Sequence, residues 1–285
     1  MASLYTAHVA VRHHEVDRFG RLHAAVYLRY LAHAAVEASA AAGFDAAWYA
    51  AAGGLWIVRR TMLDVVRAVR ADEELTIRTW VEDFRRVRSE RRYEMLGADG
   101  TPRASARTDW VWVDAASGRP RRVPAEVQAA FGAAAENGRE REGWSAPPPP
   151  ARPARSEHRV RLYELDGLGH MNNANYLDLL VQAVADTLEA AGWPFERLLE
   201  TGGVPLLAGA DVEYLEPAVY GDVLAIATWF TPARGALDAH QSIVRAGGER
   251  PLVQATTRWR WTADDRAELD LPHGLLAALH PLLAA

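Results

Sequence analysis

The segment Tyr163-Glu-Leu-Asp166-Gly-Leu-Gly169-His170-Met-Asn172-Asn173-Ala-Asn175-Tyr176-Leu177 gathers a carboxylate, an imidazole and three amides within one short stretch. Asp166 stands in a loop just ahead of a helical pattern, where a carboxylate could take a proton from water or attack an acyl carbon directly. The first N–H groups of that helix, near Asn173 to Asn175, have no intrahelical partners and lie at the positive end of the helix dipole. They could receive an oxygen on which negative charge develops. Loss of one such donor typically raises a barrier by about 3–4 kcal/mol. Gly167 and Gly169 allow tight turns and close approach, and His170 and the asparagines can hold a water or orient the carboxylate. Plain structural roles stand beside these: Asp166 as a turn residue, Asn173 and Asn175 as caps, His170 as a satisfied loop donor.

The elements that must position these groups occur twice. At an offset of 149 residues, Arg12, Glu15, Asp17, Gly20, Ala25, Tyr27, Leu28 and Leu31 fall on Arg161, Glu164, Asp166, Gly169, Ala174, Tyr176, Leu177 and Leu180. The same offset pairs Gly53-Gly54 with Gly202-Gly203, Leu75, Ile77, Thr79 and Trp80 with Leu224, Ile226, Thr228 and Trp229, and Trp110 and Trp112 with Trp259 and Trp261. A register held this long marks a duplication. Each copy predicts a short strand (Ala7–His14; His158–Tyr163), a Gly-containing loop, and a long helix (Ala24–Ala42; Ala174–Ala191) stopped by Gly43 or Gly192. Both helices are apolar on most faces, which suits enclosure by a sheet. Alternating runs such as Leu75–Trp80, Asp109–Val113, Leu224–Phe230 and Thr257–Trp261 predict antiparallel strands, so each copy reads as α+β. Between them Gly138–Ser156, with its run Pro147–Pro150, reads as a linker. The expected domains are 1–137, the linker 138–156, and 157–285.

Composition narrows the field. The 285 residues are 49% hydrophobic and 24% charged, an ordinary globular balance, and no apolar run approaches the roughly 20 residues of a membrane span. Residues Met1 to Val11 show no secretory signal, so a cytoplasmic location is expected. Absence of cysteine excludes disulfides, a thiolate nucleophile and Cys-ligated zinc. A net charge of −5 argues against nucleic-acid binding. All 32 basic side chains are arginine. Arg85, Arg86, Arg88, Arg91 and Arg92, with Arg119, Arg121 and Arg122, read either as a solvated strand face or as a site for phosphates or an acidic carrier. Trp48, Trp56 and Trp193 read as core rather than pocket walls. The patterns Gly-x-Ser-x-Gly, His-Glu-x-x-His and Gly-x-Gly-x-x-Gly are absent, which disfavours serine hydrolases, zincins and dinucleotide enzymes.

The segment around Asp166 resembles the hotdog-fold thioesterases of the 4-hydroxybenzoyl-CoA thioesterase-like branch, whose hallmark is Asp-x-x-Gly-His-x-Asn-Asn followed by x-x-Tyr-Leu. The paired copies further resemble the acyl-ACP thioesterases, with Glu213-Tyr-Leu-Glu216 standing where that group carries a downstream Glu-Tyr-x-x-Glu. The resemblance implies two tandem hotdog modules, each a long helix wrapped by antiparallel sheet, packed as an intramolecular pseudo-dimer. It implies hydrolysis of acyl-CoA or acyl carrier protein thioesters, without metal or redox cofactor and without nucleic-acid or membrane partners, by a monomeric pseudo-dimer or a homodimer of it. Asp166 would act as base or nucleophile, supported by His170, Asn172 and Glu216, with Gly169, Asn173, Asn175 and Tyr176 at the substrate. Leu168 replaces an asparagine found in the plant acyl-ACP enzymes, which moves the reading toward hydrolysis by Asp166 alone.

The first copy departs from the pattern: Arg21, His23 and Ala24 replace His170, Asn172 and Asn173, and Arg67 stands opposite Glu216. Either it is a degenerate half that shapes an acyl pocket, or Asp17 and His23 form a second site. Two other functions remain in view, a hotdog dehydratase on hydroxyacyl thioesters and a non-catalytic acyl-thioester binder. The dehydratase is disfavoured because the Asp-x-Asn-Pro-x-His spacing of that branch is absent.

Overall fold

The computed structural model describes residues 3–132, 134–135, 143–263 and 268–284. The chain divides into two compact units, Met1–Glu142 and Gly143–Ala285.

In the first unit β1 (Tyr5–Ala10) leads through a turn of 3-10 helix to α1 (Ala24–Ala41) and the short α2 (Ala46–Ala52). Four strands follow, β2 (Gly54–Val65), β3 (Glu74–Phe84), β4 (Arg88–Gly97) and β5 (Pro102–Asp114), then α3 (Ala125–Phe131) and the two-residue β6 (Ala134–Ala135). The antiparallel order is β1-β3-β4-β5-β2, with β6 parallel beside β3. The second unit repeats this plan with β7 (Ala154–Arg159), α4 (Asn173–Ala190), α5 (Phe195–Glu200), β8 (Val204–Tyr214), β9 (Val223–Ala233), β10 (Ala236–Arg245) and β11 (Pro251–Thr262). Its order is β7-β9-β10-β11-β8, and β12 (Glu268–Leu269) pairs with β11; α6 (Leu275–Leu279) follows.

Each long helix lies on its own sheet, α1 against β1 and β3, α4 against β7, β9 and β11. Ala25, Leu28, Leu31 and Ala34 of α1, and Ala174, Leu177, Leu180 and Ala183 of α4, are buried. Alanines on this face let helix and sheet approach closely, while each buried leucine contributes roughly 1.5–3 kcal/mol of transfer free energy. Gly43 and Gly192 follow the helices in the left-handed region, with φ of 92° and 80°, and end them where the sequence indicates.

The first strand of each copy ends earlier than the sequence reading. Arg12 and Arg161 donate their backbone N–H to the carboxylates of Glu15 and Glu164, at 2.9 and 2.6 Å, and curl the chain into a turn. Such a local side-chain to backbone bond competes directly with the strand ladder. The expected linker also differs. Its residues 138–142 lie outside the described residues, and the remainder belongs to the second unit. Trp144 donates its indole N–H to Thr256, Trp229 donates to the Pro147 carbonyl, and β7 begins at Ala154.

The repeated glycines at the start of β2 and β8 have a packing cause. A Cβ on Gly54 would collide with the fully buried Trp112 indole, and one on Gly203 would lie 2.6 Å from Leu269 and 3.6 Å from Trp261. The paired tryptophans thus sit over paired glycines. Gly54→Ala is expected to lower unfolding free energy by about 1–3 kcal/mol in urea titration, since the rigid indole cannot yield without shifting its neighbours.

Candidate functional site

The loop before each long helix is built on one hydrogen-bond plan. Asp17 and Asp166 donate their backbone N–H to the carbonyls of Arg21 and His170, at 2.7 and 2.8 Å. Their carbonyls accept from Gly20 and Gly169, at 2.9 and 3.0 Å, and one carboxylate oxygen of each accepts from Phe19 or Leu168, at 2.8 Å. Gly20 and Gly169 hold φ of 70° and 74°, a conformation that side chains resist.

Below the loop, Glu15 and Glu164 accept the amides of His23 and Asn172 on their backbone carbonyls, at 2.9 Å each. The Glu164 carboxylate also meets His158 at 2.9 Å, and its carbonyl takes the side-chain amide of Asn175 at 2.8 Å. Glu15 instead takes the Tyr30 hydroxyl at 2.5 Å. This glutamate ties first strand, loop and helix start together. Sequence reading noted it only as a repeated residue, and its recurrence three residues after a repeated arginine was the available signal.

The two loops differ in what faces the aspartate. In the first unit the Arg21 guanidinium clamps the second Asp17 oxygen through two nitrogens, at 3.1 and 3.0 Å, and the Arg21 amide donates to the first oxygen at 3.0 Å. Arg21 is itself buried. His23 is exposed at the N-terminus of α1, makes no side-chain cap, and has no hydrogen bond to Asp17 among the described residues. In the second unit His170 takes the place of Arg21, and no cation lies within ion-pair distance of Asp166 among the described residues. The half-buried Asp166 keeps one oxygen without a protein partner there.

The helix terminus differs from the sequence reading. Asn172 is the N-cap of α4, accepting the Ala174 amide on its side-chain oxygen at 3.0 Å, and its backbone carbonyl takes the Asn175 amide at 3.0 Å. Of the amides from Asn173 to Asn175, only that of Asn173 is without a partner among the described residues. The Asn173 carbonyl accepts from the Tyr214 hydroxyl at 3.1 Å. His170 is half-buried, and its ring makes no hydrogen bond among the described residues. Glu216 is not hydrogen-bonded to Asp166 or His170 there. Its carboxylate faces Arg250 at 2.7 Å and Arg245 at 3.3 Å, and Arg245 also binds Asp222 at 2.9 Å.

Tyr176 and its counterpart Tyr27 are buried helix residues whose hydroxyl oxygens accept the amides of Ala218 and Val69, at 2.9 and 3.3 Å. Burial pushes both phenols up to about 12, although those amide bonds oppose the shift. They pin the helix to the loop ahead of β3 or β9.

The first unit also holds an apolar cavity of about 440 Å³ between α1, α2 and the sheet. Phe44, Trp56, Phe84 and Phe131 line it, so Trp56 is a pocket wall as well as a core neighbour. Trp48 packs on the same cluster without lining the cavity, and Trp193 is buried in the second unit.

A family model described as the thioesterase-like superfamily matches residues 11–131 and 160–279. The chain belongs to that superfamily. A putative oleoyl thioesterase from Lactobacillus plantarum shares its fold, with a TM-score of 0.76 and 22% identity over 91% of this chain and 96% of that one. The 12:0-ACP thioesterase from Umbellularia californica gives a TM-score of 0.73 and 16% identity over 91% and 94%. A Bacteroides thetaiotaomicron acyl-ACP thioesterase gives 0.71 and 17% over 90% and 98%. The superfamily member thus has a tandem hotdog fold. A putative esterase from Aquifex aeolicus is 31% identical over 68 residues, 24% of this chain, and the match spans about half (53%) of that relative.

The buried phenols give a direct test. Folding holds Tyr27 and Tyr176 neutral, so their stabilising effect is complete below pH 10 and is lost as pH rises toward about 12. In an ultraviolet absorbance titration, at least two tyrosines are expected to ionise only above the ordinary range, together with loss of folded structure.

Proposed function

We propose that this superfamily member hydrolyses acyl thioesters to a free acid and a thiol, taking acyl-CoA or acyl carrier protein as substrate. The observation that carries the reading is the contrast between the two aspartates. Both oxygens of Asp17 are taken, one by two nitrogens of the Arg21 guanidinium and one by backbone amides, whereas Asp166 keeps an uncommitted oxygen at the N-terminal end of α4. An oxygen already holding guanidinium N–H groups has no lone pair left for a water molecule. The open oxygen of Asp166 has one to offer.

In this proposal Asp166 takes a proton from water as the water oxygen attacks the thioester carbon. The carbonyl oxygen becomes an oxyanion and is received by the Asn173 amide at the positive helix end. Collapse breaks the C–S bond, and the proton passes to the departing thiolate. The alternative route, direct attack by Asp166 to give an acyl-aspartyl intermediate, uses the same residues. His170 lies within the same loop and orients water or the thioester. Asn172 and Asn175 hold the terminus in place, and Gly169 and Tyr176 shape its approach. Glu216, committed to two arginines, takes no part in the chemistry. The first copy acts as the degenerate half rather than as a second site at Asp17 and His23. Release of a free acid from its carrier is a reaction of fatty-acid metabolism, which we assign to the cytoplasm.

Asp166→Asn is expected to lower thiol release from acyl-CoA and acyl carrier protein substrates by about 10²–10⁴-fold, the usual worth of a general base, with circular dichroism unchanged. Asp17→Asn is expected to leave turnover within about twofold, because its carboxylate does no chemistry in this scheme. Retention of full activity by the Asp166 variant sinks the assignment.

A further inference from the structure

The sequence grouped Arg91 with a run of surface arginines, but β4 alternates and the structure separates them. Ser89, Arg91, Tyr93 and Met95 are buried, as is Glu90 between the first two, whereas Arg88, Arg92 and Glu94 are half-buried or exposed. Arg91 is only 7% exposed and lines the cavity of the first unit. Its guanidinium lies 5.2 Å from the centre of the Phe131 ring and donates to the Thr79 hydroxyl at 3.3 Å. No carboxylate lies within ion-pair distance among the described residues. The neighbouring acids are engaged elsewhere: Glu90 with Arg92 at 3.1 Å, and Asp83 with Arg85 at 3.9 Å. Asp45, also on the lining, is exposed and accepts the Trp48 amide.

A buried cation without a counter-ion is costly, and proteins normally pair it. Burial lowers the Arg91 pKa from its ordinary value, yet a guanidinium remains charged under all ordinary conditions. The hydroxyls on the same wall have no hydrogen to offer. Ser39 donates to the Phe44 carbonyl at 3.1 Å and lies 2.7 Å from the Tyr49 hydroxyl, which must then be the donor of that pair. Ser89 donates to the Asp83 carbonyl at 3.3 Å. The uncommitted N–H groups of Arg91 are therefore the strongest donors facing an otherwise aromatic and aliphatic space.

We propose that this cavity is a binding site for a molecule with an apolar body and a single carboxylate, the carboxylate pairing with Arg91 and the body lying among Phe44, Trp56, Phe84 and Phe131. The volume falls within the usual range for small-ligand sites, roughly 300–1,000 Å³. Charge-assisted, two-pronged contact is what a guanidinium offers a carboxylate and what it cannot offer an alcohol. Such a carboxylate is that of a free aliphatic acid. Binding at Arg91 does not require hydrolysis at Asp166, so the two assignments stand or fall separately.

The test is calorimetric titration of the full-length protein with octanoate and with 1-octanol, a pair differing in the charged head. Native protein and the Asp166→Asn variant are both expected to bind octanoate about tenfold or more tightly than octanol. Arg91→Met is expected to fold with an unchanged or higher Tm, since it removes a desolvated charge, and to bring the two ligands within about twofold. Arg91→Lys keeps a charge and is expected to keep part of the preference, which serves should the Met variant not fold. Equal binding of acid and alcohol to native protein, or a preference undiminished in Arg91→Met, overturns the proposal.

Discussion

What a carboxylate can do before a helix is decided by the charge placed against it. The loops around Asp17 and Asp166 share their backbone hydrogen bonds, their positive-φ glycine and their supporting glutamate. The side chain facing the carboxylate, four residues on, is arginine in one and histidine in the other. In the first loop the guanidinium satisfies the carboxylate and makes it a structural ion pair. In the second the same scaffold leaves an oxygen open beside a helix end. The fold supplies position, and a single side chain decides whether the carboxylate is paired or left open.

That scaffold is rigid for a reason visible in both copies. A glutamate closes the turn after the first strand, and its carbonyl receives the amide at the helix start. A buried tyrosine one turn along the helix receives the amide of the segment that precedes β3 or β9. Loop, helix and sheet are joined by bonds among buried or half-buried groups, where an unpaired partner would be penalised. Duplication therefore preserved the frame while the open positions diverged.

The repeat, the helix stops at Gly43 and Gly192 and the antiparallel strands were legible because each rests on local pattern or identity. Four features were not. The early end of β1 and β7 came from a carboxylate capturing its own backbone, which looks like continued alternation in sequence. Asn172 was read for chemistry, and its place as the helix cap emerges only once the helix start is fixed to within a residue. The partners of Glu216 lie on other elements, Arg245 at the end of β10 and Arg250 just before β11, so nothing near it in sequence reveals them. Arg91 was the sharpest loss. A run rich in arginine suggests one solvated face, although strand alternation sends neighbouring charges to opposite sides of a sheet.

The inward arginine also bears on how β4 finds its place. A slip of one residue would turn Glu90 and Arg92 toward the aromatic cluster and carry Tyr93 and Met95 out to water. Such a misalignment would turn charged side chains into the aromatic cluster and waste large apolar groups, so the strand has one acceptable alignment between β3 and β5. The arginine itself pulls the other way, since a slip would release its guanidinium to water, and the large apolar Tyr93 and Met95 hold the alignment against it.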